Sequence, residues 1–186
     1  MHTQHKKLDF SNQNIFIGID VHKKSWKVNI RTDQIDHKTF TMDPMPRILS
    51  EYLRKNFPGG QYYSAYEAGF SGFWAHKQLE ELGVNSIVVN PADIPTNDKQ
   101  RRIKNDKVDC RKIAHHLRNG DLTGIYIPSR KIQEARTLLR LHNQITKDQT
   151  RLKNQIKSIL NFYGYPTPSD LTRSHWSNRY IQWPNR

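Results

Sequence analysis

The sequence has a single cysteine, no long apolar segment and fewer acidic than basic residues. Cys110 stands alone, so no disulfide can form within the chain, and a reducing compartment is expected. The first ten residues lack the apolar core of a signal peptide, and no later run approaches the ~18 apolar residues that span a bilayer. These absences predict a soluble cytoplasmic protein with no membrane contact.

The shortage of acidic residues leaves a net charge of +13, from 30 lysines and arginines against 17 aspartates and glutamates. Residues 99–118 contain eight basic and two acidic side chains, and residues 129–160 contain the same numbers. Clustered positive charge is typical of a polyanion-binding surface, although a basic helix face can also be simply solvated. The side chains that we predict to contact nucleic acid are Lys23, Lys99, Arg101, Arg102, Lys104, Lys107, Arg111, Lys112, Arg140, Arg151 and Lys153.

The longest apolar run, I-F-I-G-I-D-V-H at residues 15–22, predicts a central strand buried on both faces. Residues 25–31 alternate apolar and polar side chains, which predicts a strand with one face in water. The whole order, β-β-β-α-β-α-β-α, is that of an α/β, RNase H-like mixed sheet flanked by helices. The further predicted strands are 35–42, 62–67 and 85–90, and the predicted helices are 47–57, 72–82 and 106–118.

Four carboxylates fall at the ends of these elements. Asp20 ends the central strand, where a carboxylate needs a cation or donors, and Glu67 ends another strand. Asp106 and Asp109 are three residues apart and share one face of a helix. Such aspartates near a helix start more often cap it, and Asp20 alone is equally consistent with a structural role. Together the four predict a catalytic site that binds Mg²⁺ (or Mn²⁺) and cleaves phosphodiesters.

Three neighbouring residues have two interpretations each. His22 either contacts Asp20 or the scissile phosphate, or is only a polar residue at a strand end. Tyr66 and Trp74 either stack on bases or pack in the core, and core packing is the favoured interpretation.

A heptad pattern follows, in which nine positions from 135 to 163 are spaced alternately by three and four residues. A strict 3.5-residue period favours a coiled coil that forms a homodimer or larger oligomer, and Ser129 can cap the helix. A helix packed along its own domain is the alternative. The positions are Ala135, Leu138, His142, Ile145, Gln149, Leu152, Ile156, Ile159 and Tyr163, here called the heptad seam.

Several motifs in order carry a family resemblance. They include G-I-D-V-H-K (18–23), Y-E-A-G-F-S-G-F-W (66–74), V-V-N-P (88–91), K-N-D-K-V-D (104–109), and L-L-R-L with R-L-K-N-Q-I in the heptad region. Over residues 15–168 the chain resembles the bacterial insertion-sequence transposases with a RuvC-like D-E-D-D domain, the bridge-RNA-guided recombinases. The resemblance implies that Asp20, Glu67, Asp106 and Asp109 are the D-E-D-D set. It also implies DNA substrates, at transposon ends and target, and a guide RNA held partly by the coiled coil.

The resemblance also organises the chain into parts. We expect a disordered N-terminus at 1–14, a RuvC-like domain at 15–127 and a coiled-coil helix at 128–164. Family members continue into a second domain that contributes a catalytic serine, and this chain stops at Arg186. Residues 165–186 are therefore expected to begin a linker to an absent domain, and the chain alone to be incomplete for recombination.

Other functions stay open at this point. A catalytically incomplete module that binds RNA or DNA and dimerises would use the same basic segments and heptad seam. A Holliday-junction-type nuclease would use the same carboxylates. Sugar-kinase and actin-like ATPases also open with an I-G-I-D strand, but they follow it with a glycine-rich turn, whereas Val21-His22-Lys23-Lys24 follows here.

Overall fold

The computed structural model describes residues 9–95, 106–165, 169 and 176–183, and of residues 106–108 it describes the backbone alone. The chain divides into two compact units, Met1–Ile127 and Pro128–Arg186, here called the sheet domain and the helical unit. The strands are β1 (Asn14–Val21), β2 (Trp26–Arg31), β3 (Asp36–Met42), β4 (Gln61–Glu67) and β5 (Asn85–Val89). The helices are α1 (Pro46–Asn56), α2 (Trp74–Glu81), α3 (Asp106–Asn119), α4 (Arg130–Phe162) and α5 (Asn178–Gln182), with a short 3₁₀ turn at Pro91–Asp93.

The five strands form one mixed sheet in the order β3-β2-β1-β4-β5. The first three strands pair antiparallel, whereas β1 with β4 and β4 with β5 pair parallel. Parallel neighbours need a crossover connection, and α1 and α2 provide the two crossovers. The RNase H-like fold with a central β1 is confirmed.

The main core lies on the face of the sheet that carries Ile15, Ile17 and Ile19, all fully buried. These β1 side chains pack with the buried residues of β2 and with leucines of α1 and α2. Because side chains alternate along a strand, the neighbouring residues Gly18 and Asp20 lie on the opposite face. Helix α3 packs on that opposite face, over β1, β2 and β4. The sheet therefore has helices on both sides.

The expectation of a water-facing side on β2 is wrong at its centre. Asn29 is fully buried, and its side-chain amide donates hydrogen bonds to Asp36 Oδ1 (2.7 Å) and Thr39 Oγ1 (2.9 Å). Helix α3 packs over β2, and the Asn29 side-chain nitrogen bonds to side chains of β3 instead of water. The alternating pattern of β2 identified its polar positions correctly, but it did not predict that Asn29 is buried.

The structure describes the last six residues of the N-terminal segment for which disorder is expected. Residues 1–8 lie outside the described residues, but Phe10 packs against Phe57, with ring centroids 5.0 Å apart. The amide of Phe10 also donates to the carbonyl of Pro58 at 2.9 Å. Residues 9–14 are therefore held against the sheet domain.

The helical unit is dominated by α4, a helix of 33 residues. Ser129 caps it as predicted, because its hydroxyl oxygen accepts from the amide of Ile132. None of the α4 residues is buried. Among the described residues, no helix combines the length and apolar character that crossing a bilayer would need.

Candidate functional site

The close contact between β1 and α3 depends on Gly18. A Cβ atom at this position would overlap the carbonyl oxygen of Cys110 and lie 2.5 Å from the amide nitrogen of Ala114. Only glycine lets the helix backbone come this near to the strand. Asp20 follows two residues later on the same face, so the α3 helix lies on the side of the sheet toward which Asp20 points.

The register of β1 and β4 brings Glu67 beside Asp20. Gly18 pairs with Ala65 and Ile19 with Tyr66, so Asp20 and Glu67 follow at the carboxyl ends of two adjacent parallel strands. Ala65 packs with Ile113 of α3, which places this face of β4 under the same helix. The edge formed by the carboxyl ends of parallel strands is where α/β proteins commonly bind ligands.

Three of the four predicted carboxylates line one pocket of about 220 Å³, here called the carboxylate pocket. Asp20 comes from β1, Glu67 from β4 and Asp109 from α3, and His22, Phe70 and Ser71 contribute to the walls. The side chain of Asp106 lies outside the described residues, although its backbone begins α3. Residues more than eighty positions apart in the sequence thus share one cleft.

Within the pocket, Asp20 and His22 interact directly. His22 Nε2 lies 3.0 Å from Asp20 Oδ2, and the Asp20 side chain is 19% exposed. A hydrogen bond to the imidazole restricts the orientation of the carboxylate. The interpretation of His22 as a contact of Asp20 agrees with this geometry.

The donor set of the pocket suits a hard cation. Carboxylate oxygens are the ligands that Mg²⁺ and Mn²⁺ prefer, and Asp20, Glu67 and Asp109 all supply them. Among the side chains that the structure describes, however, no group of three or more Asp, Glu, His or Cys is arranged to hold a metal ion. The three carboxylates therefore line one pocket, but their described positions do not form a metal-coordination sphere.

The negative charge of Asp20 affects the pKa of the Cys110 thiol. Its thiol is fully buried, and burial, with the negative charge of Asp20 second, raises its pKa to about 11. The thiol therefore stays protonated at neutral pH and acts as a packing residue between α3 and the sheet. The Asp20 carboxylate is close enough to affect the helix that carries Asp109.

The predicted nucleic-acid contacts lie in different settings. Lys23 is exposed next to the carboxylate pocket, whereas Arg111 donates from Nε to Thr39 Oγ1 at 2.9 Å. On α4, Arg140 is exposed, Arg151 pairs with Asp148 at 3.2 Å, and Lys153 lies over the Trp176 ring. Lys112 is partly buried in α3. Lys99, Arg101, Arg102 and Lys104, and the side chain of Lys107, lie outside the described residues.

The sequence reasoning did not single out Phe70 and Ser71, which line the pocket after Glu67. The glycines on either side, Gly69 and Gly72, are the available signal, because they mark a turn directly after a strand that ends in a carboxylate. Tyr66 is fully buried, as favoured, and its hydroxyl donates to the Gly72 carbonyl at 3.1 Å. Trp74, expected to pack in the core, remains 42% exposed.

Comparisons with known proteins place the chain among transposases. It is 24% identical over 187 residues to the transposase of insertion sequence element IS1533 from Leptospira borgpetersenii, covering 92% of this chain and 50% of that protein. Two proteins of Sinorhizobium fredii (strain NBRC 101917 / NGR234) with provisional transposase names, y4rJ and y4qE, are 25% and 28% identical. Those matches cover 78% and 65% of this chain and 41% and 30% of the relatives, so the chain spans half or less of each relative.

The family comparison covers most of the sheet domain and all of α4. The model of the IS110 transposases, described as "Transposase", matches residues 17–165, which include the carboxylate pocket and the heptad seam. The match extends over well more than half of the 186 residues. This chain belongs to the IS110 family of insertion-sequence transposases.

Proposed function

We propose that this chain is the catalytic and nucleic-acid-binding part of an RNA-guided DNA recombinase, with phosphodiester chemistry at the carboxylate pocket. The observation that carries the proposal is the convergence of Asp20, Glu67 and Asp109 from two strands and one helix on one cleft. Membership of a transposase family supplies the substrate class, DNA at transposon ends and target.

Asp20, Glu67 and Asp109, with Asp106 from the same helix, would hold Mg²⁺ or Mn²⁺. A divalent ion bound by carboxylates polarises a phosphodiester and lowers the pKa of bound water. The protein's own contribution is positional: the β1–β4 register fixes Asp20 beside Glu67, and Gly18 lets α3 bring Asp109 over them. His22 restrains the Asp20 carboxylate from one side. Like charges at close range repel, so three carboxylates in one cleft are costly unless a cation is bound.

The helical unit supports a second part of the proposal. The apolar members of the heptad seam stay exposed on α4, with Ile145 at 59%. We propose that two copies pair through this seam as a coiled coil. Arg140, Arg151 and Lys153 supply positive charge for a guide RNA.

The pocket is tested by Asp20→Asn, which keeps the size of the side chain and removes its charge. We expect Mg²⁺-dependent strand cleavage of linear and branched DNA to fall at least about 100-fold, because the variant loses an anionic ligand. Asp33→Asn is the matched control, since Asp33 is an exposed aspartate outside the pocket. Circular dichroism should show that both variants fold. Equal cleavage by Asp20→Asn and the parent would refute the assignment.

The nucleic-acid part is tested on the purified protein. We expect it to carry RNA that ribonuclease removes, and its binding to weaken steeply between low and physiological salt. RNA and DNA binding without any cleavage, with and without Mg²⁺, would favour the binding and dimerisation module instead.

A further inference from the structure

A second cleft opens directly beside the carboxylate pocket. It has a volume of about 340 Å³, and Val21, His22, Phe70 and Ser71 line both clefts. Its remaining walls are Lys23, Pro44 and Trp74, and we call it the aromatic pocket. The two clefts therefore share one wall, and a polymer that passes through one meets the other.

Two large aromatic side chains of the aromatic pocket are open to solvent. Phe70 is 65% exposed and Trp74 is 42% exposed. Exposed aromatic rings that lie close together on a soluble domain commonly mark a binding surface. The carboxylate chemistry proposed above makes no use of either ring, so their exposure needs a separate explanation.

Trp74 contacts the main core through one ring. Its ring packs at 5.8 Å, centroid to centroid, on Trp26, which is fully buried in the main core. Trp74 also begins helix α2, and the turn that precedes it includes Gly72 with a φ of +59°. Because the Trp74 ring already contacts the core, its side chain should lose little conformational entropy when a flat ligand stacks on the exposed part.

The lining of the aromatic pocket includes a positive charge that can contact a phosphate. Lys23 lies in its wall, and among the residues that the structure describes no acidic side chain lines it. Two aromatic faces with a lysine beside them are the usual chemistry for stacking a nucleobase and contacting its phosphate. An apolar protein segment fits less well, because it would also cover the adjoining carboxylates and remove their water.

We propose that the aromatic pocket receives one unpaired nucleobase of the DNA strand whose phosphate lies in the carboxylate pocket. Phe70 and Trp74 stack on the base, and Lys23 contacts the backbone next to it. The inference rests on the proposed function, because it takes the carboxylate pocket as the position of the scissile phosphate. It adds that the strand must be locally unpaired at that point, which a fully paired duplex does not provide.

The test is binding of a duplex that carries 2-aminopurine at one unpaired position, measured in EDTA so that no cleavage occurs. Stacking quenches 2-aminopurine, and we expect quenching with the parent protein and its loss with Phe70→Ala. Affinity for this DNA should fall about tenfold in Phe70→Ala, while affinity for the fully paired duplex stays within about twofold. Phe70 is largely exposed, so its truncation should leave the thermal midpoint unchanged.

Two further variants make the result specific. Phe70→Tyr keeps an aromatic face and should restore both quenching and affinity. Tyr126→Ala removes another exposed aromatic, outside both pockets, and should change neither. If Phe70→Ala changed the affinity for unpaired DNA and for paired DNA by the same factor, the proposal would be overturned. The exposed rings would then be left to a protein contact.

The outcome separates this inference from the function on which it rests. Asp20→Asn should still quench 2-aminopurine, because base stacking in EDTA needs no metal ion. Normal cleavage by Asp20→Asn would refute the carboxylate site. Loss of cleavage by Asp20→Asn without any dependence of quenching on Phe70 would refute the base pocket alone.

Discussion

The isoleucines of β1 and those of α4 stand in opposite environments. Ile15, Ile17 and Ile19 are fully buried between strands and helices, whereas Ile145 and Ile159 are more than half exposed. Burying one such side chain contributes roughly 1.5–3 kcal/mol. The sheet domain obtains this stabilisation within the chain, but α4 has no buried residue to provide it. The sheet domain therefore has a buried apolar core of its own, and the coiled-coil pairing proposed above would bury the seam of α4.

The largest effect on the stability of the sheet domain is expected from a substitution at Gly18. Gly18→Ala would place a methyl group against the backbone of α3, and backbone cannot rotate away as a side chain can. We expect a loss of about 3 kcal/mol in the free energy of unfolding of the sheet domain, measured by urea titration. Cleavage should also be lost, because α3 carries Asp109. Gly69→Ala is the control, since its Cβ would meet only the Glu67 carbonyl at 4.0 Å. Equal stability of the two variants would contradict a tight α3 contact.

A substitution in the heptad seam tests the proposed dimer and should leave the sheet domain unchanged. Ile145→Glu places a charge at the centre of the proposed coiled coil, and we expect the dimer dissociation constant to rise about 100-fold. Asn143→Glu adds the same charge about 200° away around the helix and should leave it unchanged. Analytical ultracentrifugation measures both constants. Unfolding of the sheet domain should be the same in both variants, and a monomeric parent protein would refute the pairing.

The buried thiol offers a test by pH. Because the pKa of Cys110 is raised to about 11 in the folded chain, folding favours the protonated thiol. Its contribution to stability is complete below the ordinary cysteine pKa of 9.0, and is lost as pH rises through about 11. We expect the parent to lose about 2 kcal/mol more than Cys110→Ala between pH 8 and 11. Parallel stability curves for the two proteins would show that the thiol is not buried between α3 and the sheet.

The smallest effect concerns the start of α4. Ser129→Ala removes the hydroxyl that accepts from the Ile132 amide, and the helical unit should lose about 0.5–1 kcal/mol. Ser129→Asp should retain the cap and recover that loss. Helicity at 222 nm during thermal unfolding reports both changes. An unchanged thermal transition of the helical unit in Ser129→Ala would contradict a stabilising role for the cap.

Local patterns predicted the five strands and helices α1–α4, but not the short helix α5 or the 3₁₀ turn at Pro91–Asp93. The β1 run and the alternation in β2 predicted strands whose observed ends lie within one or two residues, and α3 ends at Asn119 where residue 118 was expected. Periodicity determines these elements because each must bury one face. The positions of Asp20 and Glu67 at strand ends followed from the same patterns.

Two predictions failed because exposure is not a local property. Asn29 was assigned to a water-facing side, but it is buried, and Asp36 and Thr39 accept hydrogen bonds from its amide nitrogen. For Trp74 core packing was the favoured interpretation, but the residue is 42% exposed although its ring contacts Trp26. Whether Arg111 contacts phosphate stays a prediction, although its guanidinium already donates to Thr39.

By itself, the sequence determined the strands, the helices, the basic segments and the types of residue available for chemistry, because these depend on neighbours a few positions apart. Only the tertiary structure decided which of them meet. The β1–β4 register set Asp20 beside Glu67, and the absence of a side chain at Gly18 allowed α3 to bring Asp109 to the same cleft. Contacts between distant residues depend on how whole elements pack, and packing also decided that Phe70 and Trp74 open beside that cleft.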